Sequence, residues 1–202
     1  LGIGLVCAGL AIKGALVPAH TWLPDAHGRA PSSVSAILSG ILIETNIYAM
    51  VKVALLAGWG TEAFGALLAV LAVANMTTGN LLALRQVYGK RLLAYSSVAQ
   101  VGYILLGLGL GLATSRPEPL VAALYLLVAH AGMKGLAFLA KGACHHYCQA
   151  TLVRDLDGMY RRLPGAATLL VFALAGLAGI PPLAGFVAKW QLLVGALGSA
   201  TP

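Results

Sequence analysis

The chain of 202 residues is 59% hydrophobic and only 9% charged, with a formal net charge of +7, and its mean hydropathy is +0.88. Soluble domains carry about 25% charged residues, so this composition excludes a fold whose main solvent is water. The basic balance would suit nucleic acid, but the basic residues fall between long apolar runs, as membrane topology places them; a lipid bilayer is the expected surrounding and no nucleic-acid partner is expected.

Six apolar segments follow one another at 1–18, 32–57, 62–84, 92–113, 119–144 and 163–200. A helix needs roughly 20 apolar residues to cross a bilayer, and a membrane strand would alternate apolar and polar residues. These runs do not alternate, so the expected fold is an all-α polytopic membrane bundle of about six segments, in one transmembrane domain over 1–202. Leu1 follows no initiator Met, charged leader or cleavage site, and Thr201-Pro202 directly follows an apolar run. The sequence therefore reads as an internal piece of a longer protein, with further helices on both sides.

The first segment ends in Pro18-Ala-His-Thr-Trp-Leu-Pro24, and the last is split by Gly179-Ile-Pro-Pro-Leu-Ala-Gly185. Proline removes a helical hydrogen bond and clashes with the preceding turn. At membrane depth such a break survives only beside protein or a polar cavity, and discontinuous helices point to ion or substrate sites in transporters. A kink used only for packing is the plainer reading. Loop charge gives an orientation. Arg29, then Arg85, Lys90 and Arg91, then Lys141, Arg154, Arg161 and Arg162 follow the first, third and fifth segments, against Lys52 and Arg116 on the other side. The positive-inside tendency makes the richer side cytoplasmic, in a cell or inner membrane of a prokaryote.

Four ionisable residues lie too deep to be loop charges. Lys13 is five positions before Pro18, and Lys189 follows the Pro-Pro pair by seven. Glu44 is 13 residues past Pro31 and Lys134 is 15 past Pro119, which puts each about 20 Å along its helix. A charge at the bilayer centre costs about 2.5–3.5 kcal/mol even on the lenient insertion scale, and such residues normally mark an ion or proton path. A lysine that gains and loses a carboxylate partner takes up and releases a proton, because burial and the partner move its pKa in opposite directions. Snorkelling of the long stem to the interface accounts for Lys52 and Lys141 but poorly for the deep set. His130 precedes Lys134 by four residues on one helix face and titrates near neutrality when unperturbed, so the two could exchange a proton; a packing histidine is the alternative.

Cys144-His-His-Tyr-Cys148 has zinc-ligand chemistry, but no second ligand cluster accompanies it, and no metal or cofactor is expected. His20, His27, His145 and His146 fall at segment ends. Phosphate loops, dinucleotide fingerprints and nucleophile elbows do not occur.

The run His20-Thr-Trp-Leu-Pro-Asp-Ala-His27, followed by Ala30-Pro31 and Ser35-Ala-Ile-Leu-Ser-Gly40, resembles the antiporter-like membrane subunits of respiratory complex I. The same module occurs in Mrp-type sodium/proton antiporters and membrane-bound hydrogenases. Lys90-Arg-Leu-Leu-Ala-Tyr-Ser-Ser97 with Gln100-Val-Gly-Tyr103, then His130-Ala-Gly-Met-Lys134, then Gly179-Ile-Pro-Pro-Leu-Ala-Gly-Phe186 with Lys189 match further family blocks in order. The resemblance implies that Lys13 is the lysine of the first broken helix, paired with a glutamate on an earlier helix. It likewise implies that Lys134, with His130 beside it, is the central connecting lysine, and that Lys189 hands the proton to the outer half-channel. One departure stands out: Glu44, in Ile41-Leu-Ile-Glu-Thr-Asn-Ile-Tyr48, replaces a lysine found in many members. Glu44 could pair with Lys13 or Lys134, or the connecting path could differ.

The implied function is proton translocation by a subunit of an NADH:quinone oxidoreductase-type or hydrogenase complex, with other membrane subunits as partners and no redox centre of its own. An Mrp-type antiporter subunit, moving Na+ as well as protons, and a transport-inactive structural subunit are the alternatives.

Overall fold

The computed structural model describes residues 2–59 and 61–198. Leu1, the end of the last apolar segment at 199–200 and Thr201-Pro202 lie outside the described residues. Helix α1 (Gly2–Lys13) is followed by a short α2 (Trp22–Arg29). A continuous span follows from α3 (Ser32–Ile37) through a π-helical turn, Leu38–Leu42, into α4 (Ile43–Leu56). Helices α5 (Thr61–Leu84), α6 (Gly89–Thr114) and α7 (Pro117–Cys148) are long single rods. After a small loop with α8 (Met159–Arg162), α9 (Pro164–Ala178) and α10 (Ala184–Gly198) form the broken pair.

Four spans, Ser32–Leu56, α5, α6 and α7, are long and apolar enough to cross a membrane, while α1, α9 and α10 are shorter apolar helices. The chain is a membrane protein of the all-helical kind its composition predicts. Outward-facing Leu, Val and Ile are common, as on Leu56, Leu84, Val70 and Val128, because lipid rather than water meets these faces.

Without a hydrophobic drive between helices in lipid, close contact depends on small residues. Helices α5 and α6 illustrate this. A Cβ on Gly79 would stand 2.6 Å from the Ala99 backbone nitrogen, and one on Gly65 would stand 2.5 Å from the Gly109 carbonyl oxygen. Helix α6 is the most enclosed of the spans, with Val98, Val101, Ile104 and Leu105 fully buried. It is the axis around which the two breaks are arranged.

Both breaks contain a cis X-Pro peptide, Val17-Pro18 and Pro181-Pro182. Two residues past α1, Ala15 takes the left-handed region (φ 56°), whereas α9 is followed directly by Gly179 (φ 88°), a conformation that costs glycine nothing and a residue with Cβ about 1–2 kcal/mol. At the second break the Gly179 and Ile180 amides both reach back to the Ala175 carbonyl, at 3.1 and 3.0 Å. That satisfies a carbonyl left open by the helix end.

Candidate functional site

A file of ionisable side chains runs through the middle of the bundle. Glu44, on the first turn of α4, is 2% exposed, and His130 and Lys134, one turn apart on α7, are fully buried. The π-helical turn just before α4 seats Gly40 against the Ala131 carbonyl, where a Cβ would come within 2.8 Å. That close approach brings α4 onto α7, and the His130 Nδ1 and the Glu44 Oε1 form a buried ion-pair contact. Glu44 thus pairs with neither Lys13 nor Lys134 but with the histidine one turn before Lys134. Helix phase decides this, and the π-turn resets the phase of the residues that follow it.

Lys134 donates to the Leu93 carbonyl at 2.7 Å and to the Ser96 hydroxyl, both on α6. His130 and Lys134 share a helix face, and the His130 Nε2 has no hydrogen-bond partner among the described residues. Further along the same face of α6, Gln100 donates to the Leu177 carbonyl at 2.9 Å. Lys189, on α10, donates to that same carbonyl at 2.6 Å and to Ala178 at 3.4 Å, and its ammonium lies 4.8 Å from the centre of the Tyr103 ring. Ser96, Gln100 and Tyr103 are spaced by four and three, so one stripe of α6 leads from Lys134 to Lys189. Attention to charged residues alone overlooks Ser96; its hydroxyl within an apolar span, four residues before Gln100, is the signal that could reveal it.

Lys13 stands apart. It is exposed in this chain and, among the described residues, makes no hydrogen bond or ion pair with Glu44 or Lys134. The first break is closed by neutral groups instead. The buried Asn75 of α5 accepts from the Val17 amide at 2.9 Å and donates to the Ala15 and Val98 carbonyls at 3.4 Å. The Trp22 indole donates to the Ile12 carbonyl at 2.8 Å. Asn75 escapes a search for charges too, although an asparagine in the middle of an apolar span is a visible anomaly.

At the end of the bundle that carries Arg29, Lys90, Arg91 and Lys141, these residues surround a cavity of about 260 Å³ with Gly28, Tyr88, His145, Ala150 and Thr151. Lys90 donates to the Ala30 carbonyl at 2.8 Å, and Arg91 pairs with Asp25 at 2.8 Å. Lys141 does not snorkel as expected: it is 2% exposed and donates to the Ala150 carbonyl at 2.5 Å. The loop beyond α7 folds back over it, which helix ends alone cannot reveal. The loop is held by Asp155, which accepts from the Thr151 and Leu152 amides at 2.9 and 2.7 Å; those bonds hold its carboxyl below the usual range.

His20 and His27, expected only as segment-end residues, are 6% and 0% exposed, and their ring nitrogens have no hydrogen-bond partner among the described residues. Leaving one buried polar atom unpaired costs about 1–3 kcal/mol. Cys144 and Cys148 bring no metal-ligating cluster of three or more His, Cys, Asp or Glu together among the described residues.

A family model described as NADH:quinone oxidoreductase/Mrp antiporter, TM, matches residues 1–201. NADH-quinone oxidoreductase subunit N 2 of Herpetosiphon aurantiacus is 36% identical over an alignment that covers 97% of this chain and 38% of that protein. A chain of the Mrp complex from Dietzia sp. DQ12-45-1b superposes with a TM-score of 0.88 at 34% identity, over 98% of this chain and 36% of that one. A chain of respiratory complex I from Thermus thermophilus with bound NADH superposes with a TM-score of 0.83 at 28% identity, over 96% of this chain and 41% of its own. The sequence therefore spans about two fifths of the length of the proteins it matches. With the two broken helices and the buried ionisable file in the order the sequence blocks imply, the chain belongs to the NADH:quinone oxidoreductase/Mrp antiporter transmembrane family.

Proposed function

We propose that this chain is the proton-conducting part of an antiporter-like subunit in a larger, redox-driven membrane complex of the NADH:quinone oxidoreductase type. The observation that carries this reading is the file of buried Glu44, His130 and Lys134 and half-buried Lys189, joined along α6 by Ser96, Gln100 and Tyr103. Buried charges at this depth are expensive and face one another or a path. Each member has a distinct task. Glu44 and His130 share one proton across their contact. Lys134 holds the next proton against Ser96 and the Leu93 carbonyl. Lys189 holds the last one at the open carbonyls of α9, where the helix C-terminus favours a cation. Lys13 meets a carboxylate on a helix that precedes this stretch. The end bearing Arg29, Lys90, Arg91 and Lys141 faces the cytoplasm of a prokaryote.

No oxidation or reduction is assigned to this chain; electron transfer in partner subunits would drive it by moving charge and conformation. The test is pumping by the full-length protein in its complex, reconstituted in vesicles. Lys13→Ala and Lys189→Ala each abolish proton flux while the complex still assembles; full flux in either variant overturns the proposed roles.

The likeness to the Mrp complex chain favours a second reading, a subunit of a cation/proton antiporter. Sodium-dependent proton flux without any electron donor would establish it, and strict dependence on a donor would remove it.

A further inference from the structure

The proton file makes no use of the cavity at the basic end of the bundle. Cations from three helices line it: Arg29 at the end of α2, Lys90 and Arg91 at the start of α6, and Lys141 on α7. Among the described residues no carboxylate lines it. Asp25 is committed to Arg91, and Asp155 to two amides of the covering loop. Four cations less these two carboxylates leave two positive charges uncompensated. Arg29 is exposed and, among the described residues, makes no hydrogen bond or ion pair.

The backbone adds to this field. The first turn of α6 carries no side-chain cap, so the positive end of that helix meets the same cations. Gly89 lets the Lys141 stem pass against the start of α6, where a Cβ would collide with it. Depth is set by length. Helix α7 has 32 residues and is about 48 Å long, against about 30 Å of hydrocarbon, so its last turns, with Lys141 and His145, reach the level of lipid headgroups.

A second cavity, of about 550 Å³, adjoins the first and shares Arg29, Lys90 and His145 with it. It continues past Ser32 at the start of α3 and along Leu139 and Tyr147 of α7. Leu139 is exposed, as are Val34 and Ile37 of α3, so this cavity runs from the cations to the lipid-facing surface.

We infer that the two cavities together hold one anionic phospholipid, its phosphate among Arg29, Lys90, Arg91 and Lys141 and the first part of its acyl chains along Leu139, between α3 and α7. Charge and shape select this occupant. Basic pockets between membrane helices suit anionic headgroups, and the arginine fork meets two phosphate oxygens at once. A free phosphate matches the cations but leaves the Leu139 wall bare. A zwitterionic lipid matches the wall but brings its own cation into a field of like charge. The bound lipid ties α2, α6 and α7 together at their basic ends, whatever ion the file conducts.

Photocrosslinking of the full-length protein in its complex, stripped of lipid in neutral detergent, tests this. The probe is phosphatidylglycerol with a diazirine near the start of one acyl chain, and crosslinked peptides are read by mass spectrometry. Crosslinks are expected in the 139–147 stretch of α7 and at the start of α3, at least about tenfold more than with phosphatidylcholine of identical chains. Arg29→Gln is expected to raise the half-saturating lipid concentration about fivefold, and Arg29→Gln combined with Arg91→Gln about 25-fold. Arg85→Gln, at the same end but outside both cavities, leaves it unchanged. Equal crosslinking by the two lipids, or an equal loss in Arg85→Gln and Arg29→Gln, overturns the site. Loss of the crosslink when inorganic phosphate is added at the concentration of the lipid would show a site for the free anion and overturn the lipid. If the double variant fails to assemble, the comparison of the two lipids on the unaltered protein decides.

Discussion

The two broken helices solve one problem by different means. Each leaves carbonyls and an amide without helical partners at membrane depth, where unsatisfied backbone is costly. At the second break the lysine itself closes the gap: Lys189 and Gln100 together satisfy the Leu177 carbonyl. At the first, Asn75 and Trp22 satisfy the backbone, and Lys13, at the end of α1, is left uncommitted to the break. A lysine that also holds its helix together is bound to one position, whereas a lysine whose break is closed by neutral groups is free to meet and leave a carboxylate. Under the proposed function, the first break suits exchange of a partner and the second suits retention of a proton.

Replacing each lysine separates these tasks. Both Lys13→Ala and Lys189→Ala are expected to stop proton flux, the largest effect. Only Lys189→Ala should also destabilise the protein, by about 1.5–3 kcal/mol for the lost charged hydrogen bond; thermal unfolding of the purified complex measures this, and an equal loss in Lys13→Ala would break the contrast. Asn75→Ala removes the side-chain bonds that, among the described residues, tie the first break to α5, and is expected to cost about 2–3 kcal/mol, since it also strands the Val17 amide and the Ala15 carbonyl. Gln100→Ala leaves Lys189 on the shared carbonyl and should cost only about 1 kcal/mol. If Gln100→Ala proves the more damaging, Lys189 is not the main support of its break.

The smallest effect lies in the loop that covers Lys141. The Asp155 carboxyl is held below its ordinary value of 3.8 by the Leu152 and Thr151 amides. A depressed carboxylate contributes stability that is present above its unfolded pKa and lost as pH falls through the folded one. Amide exchange at Thr151 and Leu152, corrected for its intrinsic pH dependence, should therefore show strong protection at pH 7 and weaker protection at the acid end. Asp155→Asn should lower protection throughout. No change in Asp155→Asn would show the loop to be held by other contacts.

The helices are legible in the sequence because apolar run length reports a span directly. The segment expected at 62–84 is α5 at Thr61–Leu84, and the one at 32–57 is the span Ser32–Leu56. The breaks are legible because proline and glycine interrupt those runs. Partners are not. Glu44 meeting His130 depends on helix rotation, and the π-turn that sets it leaves no mark in the sequence beyond Gly40. The burial of His27 and Lys141 depends on a short helix and a loop folding back, and local sequence gives both the look of surface residues. Ser96 and Asn75 are neutral, so a search for charges within apolar spans passes over them; a search for every polar residue there would find both.

The central claim is that the file from Glu44 and His130 through Lys134 to Lys189 at the second break conducts protons, and Lys134 is its middle. Proton flux by Lys134→Met, in the assembled complex reconstituted in vesicles with its driving reaction running, tests it most directly. Flux at the level of empty vesicles, with assembly intact, is the predicted result. Flux equal to that of the unaltered protein would contradict the account.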